Sequence, residues 1–195
     1  MKVPSYNKEN RKTGGNYAAL PKGNYVCKIM GIEAVTYKNG HEGIKVSFDI
    51  AEGEYKDFYA TLYKEDDRED KHWSYDAVYY ITIPYDGAPA WVTDTWDTFW
   101  ANVEDSNNGY VFTGDEKTVK GKTFGGIFRI EESENNGRVY PHVRLYRTRI
   151  AQDIRDGKVT YVPKDKLVDA STIGGDTSDT GFINVPDGTA EDLPF

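Results

Sequence analysis

The sequence predicts a mainly β domain with one main helix and a polar C-terminal tail. Three observations carry this prediction: several segments alternate apolar and polar residues, one segment repeats apolar residues with a helical period, and Asn-Gly dipeptides separate neighbouring segments. Alternation with a period of two is typical of half-buried strands, and Asn-Gly is the strongest short signal for a β-hairpin. The 195 residues suffice for one domain and a tail.

Three strands are predicted in the first half of the chain. Residues 25–35 have strand character, and residues 38–41, which include Asn39-Gly40, supply a hairpin turn. The next strand alternates between an apolar and a polar face, formed by Ile44, Val46, Phe48 and Ile50 and by Lys45, Ser47 and Asp49. Residues 58–63 also alternate with a period of two and predict a third strand. The pattern of residues 75–83 suits a strand or a short helix equally.

The second half predicts one helix and two further strands. Residues 91–105 carry an apolar stripe with helical spacing, made by Val92, Trp96, Phe99, Trp100 and Val103. Residues 124–131 and 140–150 predict two strands joined by a hairpin at residues 134–137. Three strands, a helix and two strands is the order of an OB-fold, a five-stranded barrel with a groove for oligonucleotides or oligosaccharides. We therefore expect an OB-fold-like five-stranded barrel with extra strands.

Composition divides the chain into three parts. Residues 1–22 predict a flexible basic arm, and residues 23–168 hold the predicted OB-like nucleic-acid-binding domain. Residues 169–195 contain six acidic residues and no Lys or Arg. Such a stretch buries too little apolar surface to offset its ordering entropy, so it predicts a disordered acidic tail.

The net charge of −8 argues against a nucleic-acid partner until its distribution is considered. Residues 1–28 and 117–158 each carry a net charge of +5, whereas residues 29–116 carry −13 and residues 159–195 carry −5. Local potential along a groove governs phosphate binding, so two basic segments are compatible with it. An ordinary acidic protein with uneven solvated faces remains the alternative explanation.

The cellular setting is predicted from the lack of secretory features. A single cysteine, Cys27, cannot form an internal disulfide and favours a reducing compartment. The sequence has neither the apolar stretch of a signal peptide nor an apolar run of 18 residues. We expect a soluble cytoplasmic protein without membrane partners.

Sequence motifs for catalysis, metals and cofactors are missing. The three histidines are far apart, the acidic run at residues 66–70 lacks EF-hand spacing, and residues 121–123 lack the upstream glycine of a phosphate-binding loop. Glu131 and Glu132 would point to opposite faces of a strand, which is unsuited to a nuclease metal site. We expect no cofactor, no metal and no enzymatic activity, and Gly125-Gly126 predicts a bulge or a bend.

Basic and aromatic residues concentrate on the last predicted strand. With a period of two, Val143, Leu145, Arg147 and Arg149 would share one face, and Arg144, Tyr146 and Thr148 the other. Arginine pairs with phosphates, and tyrosine rings stack on bases, at about 1–3 kcal/mol per base. The predicted phosphate-binding residues are Arg129, Arg138, Arg144, Arg147 and Arg149, and the predicted stacking residues are Tyr59, Tyr63, Tyr140 and Tyr146.

The chain ends on an acidic stretch followed by an apolar tip, Glu191, Asp192, Leu193, Pro194 and Phe195. This ending resembles the C-terminal tip of bacterial single-stranded-DNA-binding proteins, which finish in Asp-Asp-Ile-Pro-Phe or a close variant. The resemblance implies that the tip binds replication and repair enzymes, with the final Phe in a pocket and its carboxylate near basic residues.

Most of residues 20–168 is similar to a family of phage-encoded proteins from replication and recombination gene modules, initially described as a domain of unknown function. The similar stretches are residues 20–26, 44–55, 104–110, 120–122, 131–132, 136–137, 154–157 and 162–166. Members of the family are regarded as single-stranded-DNA-binding proteins. The resemblance implies the same function here, in the cytoplasm of a host cell.

The sequence therefore predicts a phage single-stranded-DNA-binding protein that coats DNA without strong sequence preference. It would recruit replication or recombination enzymes through its tip, and homo-oligomerisation stays open. The alternative is an adaptor or inhibitor that binds such enzymes without binding DNA itself. A nuclease ranks third.

Overall fold

The computed structural model describes residues 19–168, which form five strands and three α-helices. In chain order the elements are β1 (Asn24–Thr36), β2 (Glu42–Ile50), α1 (Phe58–Glu65), β3 (Val78–Thr82), α2 (Ala90–Ser106), β4 (Thr123–Asn135), β5 (Arg138–Arg149) and α3 (Ala151–Arg155). Two short 3-10 helices span Tyr75–Ala77 and Glu116–Thr118. The predicted acidic tail and most of the predicted basic arm lie outside the described residues.

All five strands belong to one antiparallel sheet in the order β3-β2-β1-β4-β5. The prediction of a mainly β chain is confirmed, whereas the described residues contain no strand beyond these five. The edge strand β3 follows the 3-10 helix that contains Asp76, and the Asp76 carboxylate contacts His142 and Arg144 of the other edge strand, β5. Side-chain contacts thus connect the two edges of the sheet.

The hairpin turns lie where the sequence predicts them. Gly40 has a φ of 84°, and the β4–β5 turn places Asn136 and Gly137 at φ values of 53° and 72°. Positive φ at both central residues is what a tight two-residue hairpin requires, and Asn-Gly adopts it at little cost. This turn fixes the register of β4 against β5, in which Asn135 is opposite Arg138.

The core lies between the inner face of the sheet and α2. The apolar face predicted for β2 is confirmed, because Ile44, Val46, Phe48 and Ile50 are all buried. The predicted stripe of α2 is also confirmed, with Val92, Phe99, Trp100 and Val103 buried. Among residues 19–168, no helix is both long enough and apolar enough to cross a membrane.

Residues 58–63 form a helix, so the strand predicted there is wrong. The segment belongs to α1, and the backbone N–H groups of Tyr59 and Ala60 donate to the carboxylate of Asp49 at 2.9 and 3.1 Å. A carboxylate satisfies the unpaired N–H groups of a first helical turn and interacts favourably with the helix dipole. The third strand is instead β3, within the segment whose pattern did not distinguish a strand from a helix.

Two further residues are buried next to this sheet. Leu20, inside the predicted arm, is only 3% exposed and joins the core. Cys27 is fully buried, and a Cβ atom added to Gly126 would lie 3.1 Å from its sulfur. Burial raises the pKa of the Cys27 thiol well above its ordinary value, because the interior disfavours the thiolate.

Candidate nucleic-acid interface

The pairing of β4 with β5 brings predicted phosphate-binding residues together on the outer face of the sheet. Arg129 is directly opposite Arg144 in the register. Their neighbours in sequence, Phe128 and Leu145, are opposite each other and buried in the core. Because side chains alternate along a strand, the two arginines lie on the face away from the core.

Tyr146 lies between two arginines on this face. The Arg129 guanidinium carbon is 4.3 Å from the centre of the Tyr146 ring, and that of Arg147 is 5.2 Å away. Both distances are in the range of cation–π attraction. We call Arg129, Arg144, Tyr146 and Arg147 the arginine–tyrosine cluster.

A register shift in the β4–β5 pair forms this cluster. Ile127 is opposite Arg147 and Phe128 is opposite Leu145, so Tyr146 is the extra residue of a β-bulge. The predicted faces are therefore wrong beyond the bulge: Thr148 is buried with a relative exposure of 5%, and Arg147 is exposed. The bulge moves Arg147 to the face that Arg144 and Tyr146 occupy.

Carboxylates partly neutralise the cluster. Arg129 pairs with Glu131 at 2.6 Å, and Arg144 lies 3.4 Å from Asp76. Within residues 19–168, no carboxylate lies within 4 Å of the guanidinium groups of Arg138, Arg147 or Arg149. Arg147 is therefore the cluster member whose charge is available to a phosphate.

The remaining predicted residues of β5 lie along the same strand but outside the cluster. Tyr140 is 43% exposed and opposite Ser133, while Arg138 starts the strand at the hairpin. By strand geometry, Arg138 is about 30 Å from Arg147. Arg149 is at the opposite end, where its guanidinium donates to the carbonyl of Thr148 at 3.3 Å. The predicted set is thus a strip along β5 and not a compact site.

Tyr59 and Tyr63 lie on α1, not on an exposed strand face. The Tyr59 ring is 3% exposed and packs edge-on against Phe48 and Phe58 in the core, so it offers no free face to a base. Tyr63 is 37% exposed, and the Lys71 ammonium lies 4.9 Å from its ring centre. Both tyrosines line a pocket beside Asp76 and are not members of the arginine–tyrosine cluster.

A pocket of about 360 Å³ opens between α1, the 3-10 helix Tyr75–Ala77 and the start of β5. Its walls are largely aromatic and aliphatic, and its polar side includes Asp76 and His142. The residues that matter below are Phe58, Leu62, Tyr63, Tyr75, Asp76 and His142.

Hydrogen bonds to both ring nitrogens orient His142 at this pocket. Its Nδ1 is 3.1 Å from an Asp76 oxygen, and its Nε2 is 3.0 Å from the hydroxyl of Ser133. Sequence analysis did not identify Asp76 or His142 as site residues. They are 66 positions apart, and no local pattern indicates that they meet.

A second basic and aromatic pair lies on the outer face of β2 and β3. Lys45 is directly opposite Tyr80, which is 52% exposed, and the Lys45 ammonium pairs with Glu33 at 2.9 Å. Sequence analysis placed Lys45 on the polar face of β2 but did not select either residue. The alternation of β3 would have identified Tyr80, had its segment been recognised as a strand.

Two other expectations concern metals and the C-terminal tip. Residues 19–168 contain no group of three or more His, Cys, Asp and Glu side chains placed to hold a metal ion. The tip residues Glu191, Asp192, Leu193, Pro194 and Phe195 lie outside the described part of the chain.

Comparison with known proteins assigns no family to this architecture. No family model matches the chain, and no curated protein matches it significantly.

Proposed function

We propose that this protein binds single-stranded DNA along the outer face of β4 and β5 and recruits replication or recombination enzymes through its C-terminal tip. The observation that carries the DNA-binding part is the arginine–tyrosine cluster. It combines cations that attract phosphates with a ring that can stack on a base. Guanidinium groups also stack on bases, so Arg147 can contribute in both ways.

The fold proposed for this function is an OB-like barrel. Its support is the pairing order, in which β1 pairs with both β2 and β4, β3 pairs with β2, and β5 pairs with β4. The helix α2 between β3 and β4, and the Asp76 contacts between the two edges, agree with this topology. OB-folds bind oligonucleotides over strands 2 and 3, where Lys45 and Tyr80 add a cation and an exposed ring.

Arg147→Ala is the variant that tests the proposal. Arg147 is exposed and has no carboxylate partner within the described residues, so its loss removes a cation without leaving a buried charge. We expect the dissociation constant for oligo-dT to rise about tenfold and the slope of log K against log salt to fall by about 0.7, as for one lost phosphate contact. Fluorescence anisotropy over a salt series measures both quantities.

Lys158→Ala is the matched control. Lys158 is also exposed and also loses one positive charge, but it follows α3 and pairs with Asp156 at 2.8 Å. We expect this variant to bind oligo-dT as the wild type does. Equal weakening by both variants would show a net-charge effect and contradict a site at the cluster. A wild type that does not bind oligo-dT would contradict DNA binding and favour an adaptor that acts through its tip alone.

A further inference from the structure

The pocket beside α1 has the walls of a site for a flat ring. Phe58, Tyr63 and Tyr75 line it, and Tyr75 is 64% exposed, so its ring is accessible. Aromatic side chains of this kind hold unstacked bases in proteins that bind single-stranded nucleic acids. The volume of about 360 Å³ is near the lower end of the roughly 300–1,000 Å³ typical of ligand pockets. It suits one base or nucleoside.

Where the pocket meets β5 its polar side presents a hydrogen-bond acceptor, Asp76, whereas the Arg68 guanidinium that also lines the pocket is paired with Asp66. Asp76 presents a carboxylate whose side chain is 30% exposed, and an ionised carboxylate only accepts hydrogen bonds. Cytosine and adenine carry an exocyclic amino group that donates at the edge position where thymine has a carbonyl oxygen, and the N–H donor of thymine lies at the neighbouring ring position. A carboxylate opposite that edge position accepts a hydrogen bond from the amino group but meets the carbonyl oxygen of thymine, which disfavours thymine.

One residue of the pocket wall carries a buried hydroxyl without a hydrogen-bond partner. The hydroxyl of Tyr59, another lining residue, is buried and has no hydrogen-bond partner in the described part of the chain. A buried hydroxyl without a partner is costly, and such groups are rare in folded proteins. This hydroxyl is enclosed by the protein and does not open into the pocket, so the ring of Tyr59 is what the pocket presents to a ligand.

Asp76 also connects the pocket to the arginine–tyrosine cluster. The carboxylate that lines the pocket is 3.4 Å from the Nε atom of Arg144, and Arg144 is directly opposite Arg129. A strand whose phosphates contact these arginines therefore passes the mouth of the pocket.

We propose that the pocket takes a single unstacked base with an exocyclic amino group from the bound strand. This inference rests on the proposed function and adds a base preference to it. Phe58, Tyr63 and Tyr75 surround the ring, and Asp76 accepts a hydrogen bond from the amino group. His142 is a positioning residue, because it holds the Asp76 carboxylate.

The test compares oligo-dC with oligo-dT of equal length, on the full chain, by fluorescence anisotropy. We expect wild-type protein to bind oligo-dC about tenfold more tightly, since one hydrogen bond to a charged group separates the two bases. Leu62→Trp fills the pocket from α1 and should remove this difference while oligo-dT affinity stays within about twofold. Thr61→Trp is the matched control, because Thr61 is exposed on the same helix and does not line the pocket; it should keep the preference.

The outcomes separate the pocket from the DNA-binding face. Equal affinity of the wild type for both oligonucleotides, or a preference that survives in Leu62→Trp, overturns the pocket and leaves the proposed function intact. If neither oligonucleotide binds, the proposed function fails, and calorimetric titration with dCMP and dTMP tests the pocket alone. Binding of dCMP in preference to dTMP, lost in Leu62→Trp, would then support the pocket, and no binding would overturn it.

Discussion

Asp49 shows how one side chain can join a strand to a helix. It is fully buried, and its carboxylate accepts hydrogen bonds from the backbone N–H groups of Ile50, Tyr59 and Ala60 at 2.8, 2.9 and 3.1 Å. Burial raises the pKa of this carboxyl above its ordinary 3.8, although the three hydrogen bonds and nearby Lys28 oppose the rise. The cost of burying the charged carboxylate is thus larger than its stabilisation by the hydrogen bonds and Lys28.

A raised pKa gives Asp49 a defined pH dependence. The folded chain binds this proton more tightly than the unfolded chain, so the contribution of Asp49 to the free energy of unfolding is largest below pH 3.8. It decreases as the pH rises through the raised value and is constant above it. We expect the free energy of unfolding of the wild type, minus that of Asp49→Asn, to fall between pH 3 and pH 7.

Urea denaturation of both proteins across this pH range measures the difference. Subtracting the free energy of unfolding of the variant removes the pH dependence that comes from the other titrating groups, because both proteins contain them. A difference that increases with pH would mean that the hydrogen bonds outweigh burial and lower the pKa instead.

The burial of Asp49 was not predictable from its own strand. The alternation of β2 places it with Lys45 and Ser47 on the polar face, which predicts exposure. The first turn of α1 encloses its carboxylate, which accepts hydrogen bonds from the N–H groups of Tyr59 and Ala60. The pattern of a strand predicts to which side a side chain points. It does not predict that a helix beginning about ten residues later will bury that side chain.

At the scale of elements, β4 depends on a glycine for its contact with α3. A Cβ atom added to Gly125 would lie 2.6 Å from the Cγ1 atom of Ile154, 2.9 Å from the carbonyl oxygen of Ile150 and 3.0 Å from that of Arg149. Two of these three neighbours are backbone atoms, so the clash cannot be relieved by rotating a side chain. We expect Gly125→Ala to destabilise the fold by about 2 kcal/mol, as overpacking does.

Gly31→Ala is the control for the intrinsic difference between glycine and alanine. Gly31 lies in β1, and a Cβ atom there would meet no atom within 4 Å. We expect the free energy of unfolding of the Gly31→Ala variant to differ from that of the wild type by less than about 0.5 kcal/mol. Urea midpoints of the two variants measure the contrast, and equal losses would show that the packing around Gly125 is not the cause.

The elements that sequence analysis predicted correctly are specified by their own residues, whereas the helix it missed is stabilised by a residue on another element. The hairpin of β4 and β5 is specified locally by Asn136-Gly137, and α2 is specified by its own apolar stripe, so both were predicted. The aromatic segment at residues 58–63 alternates as a strand does, but Phe58, Tyr59 and Leu62 also fit one face of a helix. Asp49, on another element, stabilises the first turn of that helix, and no local pattern reports this contact.

At the scale of the whole molecule, the acidic segment at residues 169–195 opposes the proposed function. Deleting it removes six acidic residues and no basic ones, which changes the formal net charge from −8 to −2. A negatively charged segment competes with DNA for the same cations, so we expect the deletion to tighten oligo-dT binding. The gain should shrink as salt is added, because screening weakens the competition.

Filter binding of intact and truncated protein at low and high salt tests this expectation. Weaker binding after truncation would contradict it and would indicate that the segment contributes to DNA binding. Replacing all six acidic residues by their amides in the full-length chain is the control, since it removes the charge but keeps the length.

The candidate site was predicted only in part, for a reason that concerns the whole fold. All four residues of the arginine–tyrosine cluster were selected from the sequence, because a strand rich in basic and aromatic residues can be recognised from its composition alone. The position of Arg147 on that face depends on the bulge at Tyr146, opposite Ile127 and Phe128; the sequence predicted a bulge or bend at Gly125-Gly126 but did not place the extra residue on β5. The pocket joins α1, Asp76 and β5, which are far apart in the sequence, and so it appears only once the chain is folded.

The buried thiol has a practical consequence for such studies. Cys27 is the only cysteine in the sequence, it is fully enclosed, and its raised pKa suppresses the reactive thiolate. We therefore expect maleimides and iodoacetamides to leave it unmodified in the native protein. A cysteine engineered on the surface can accept a fluorophore or a spin label without replacement of the native one.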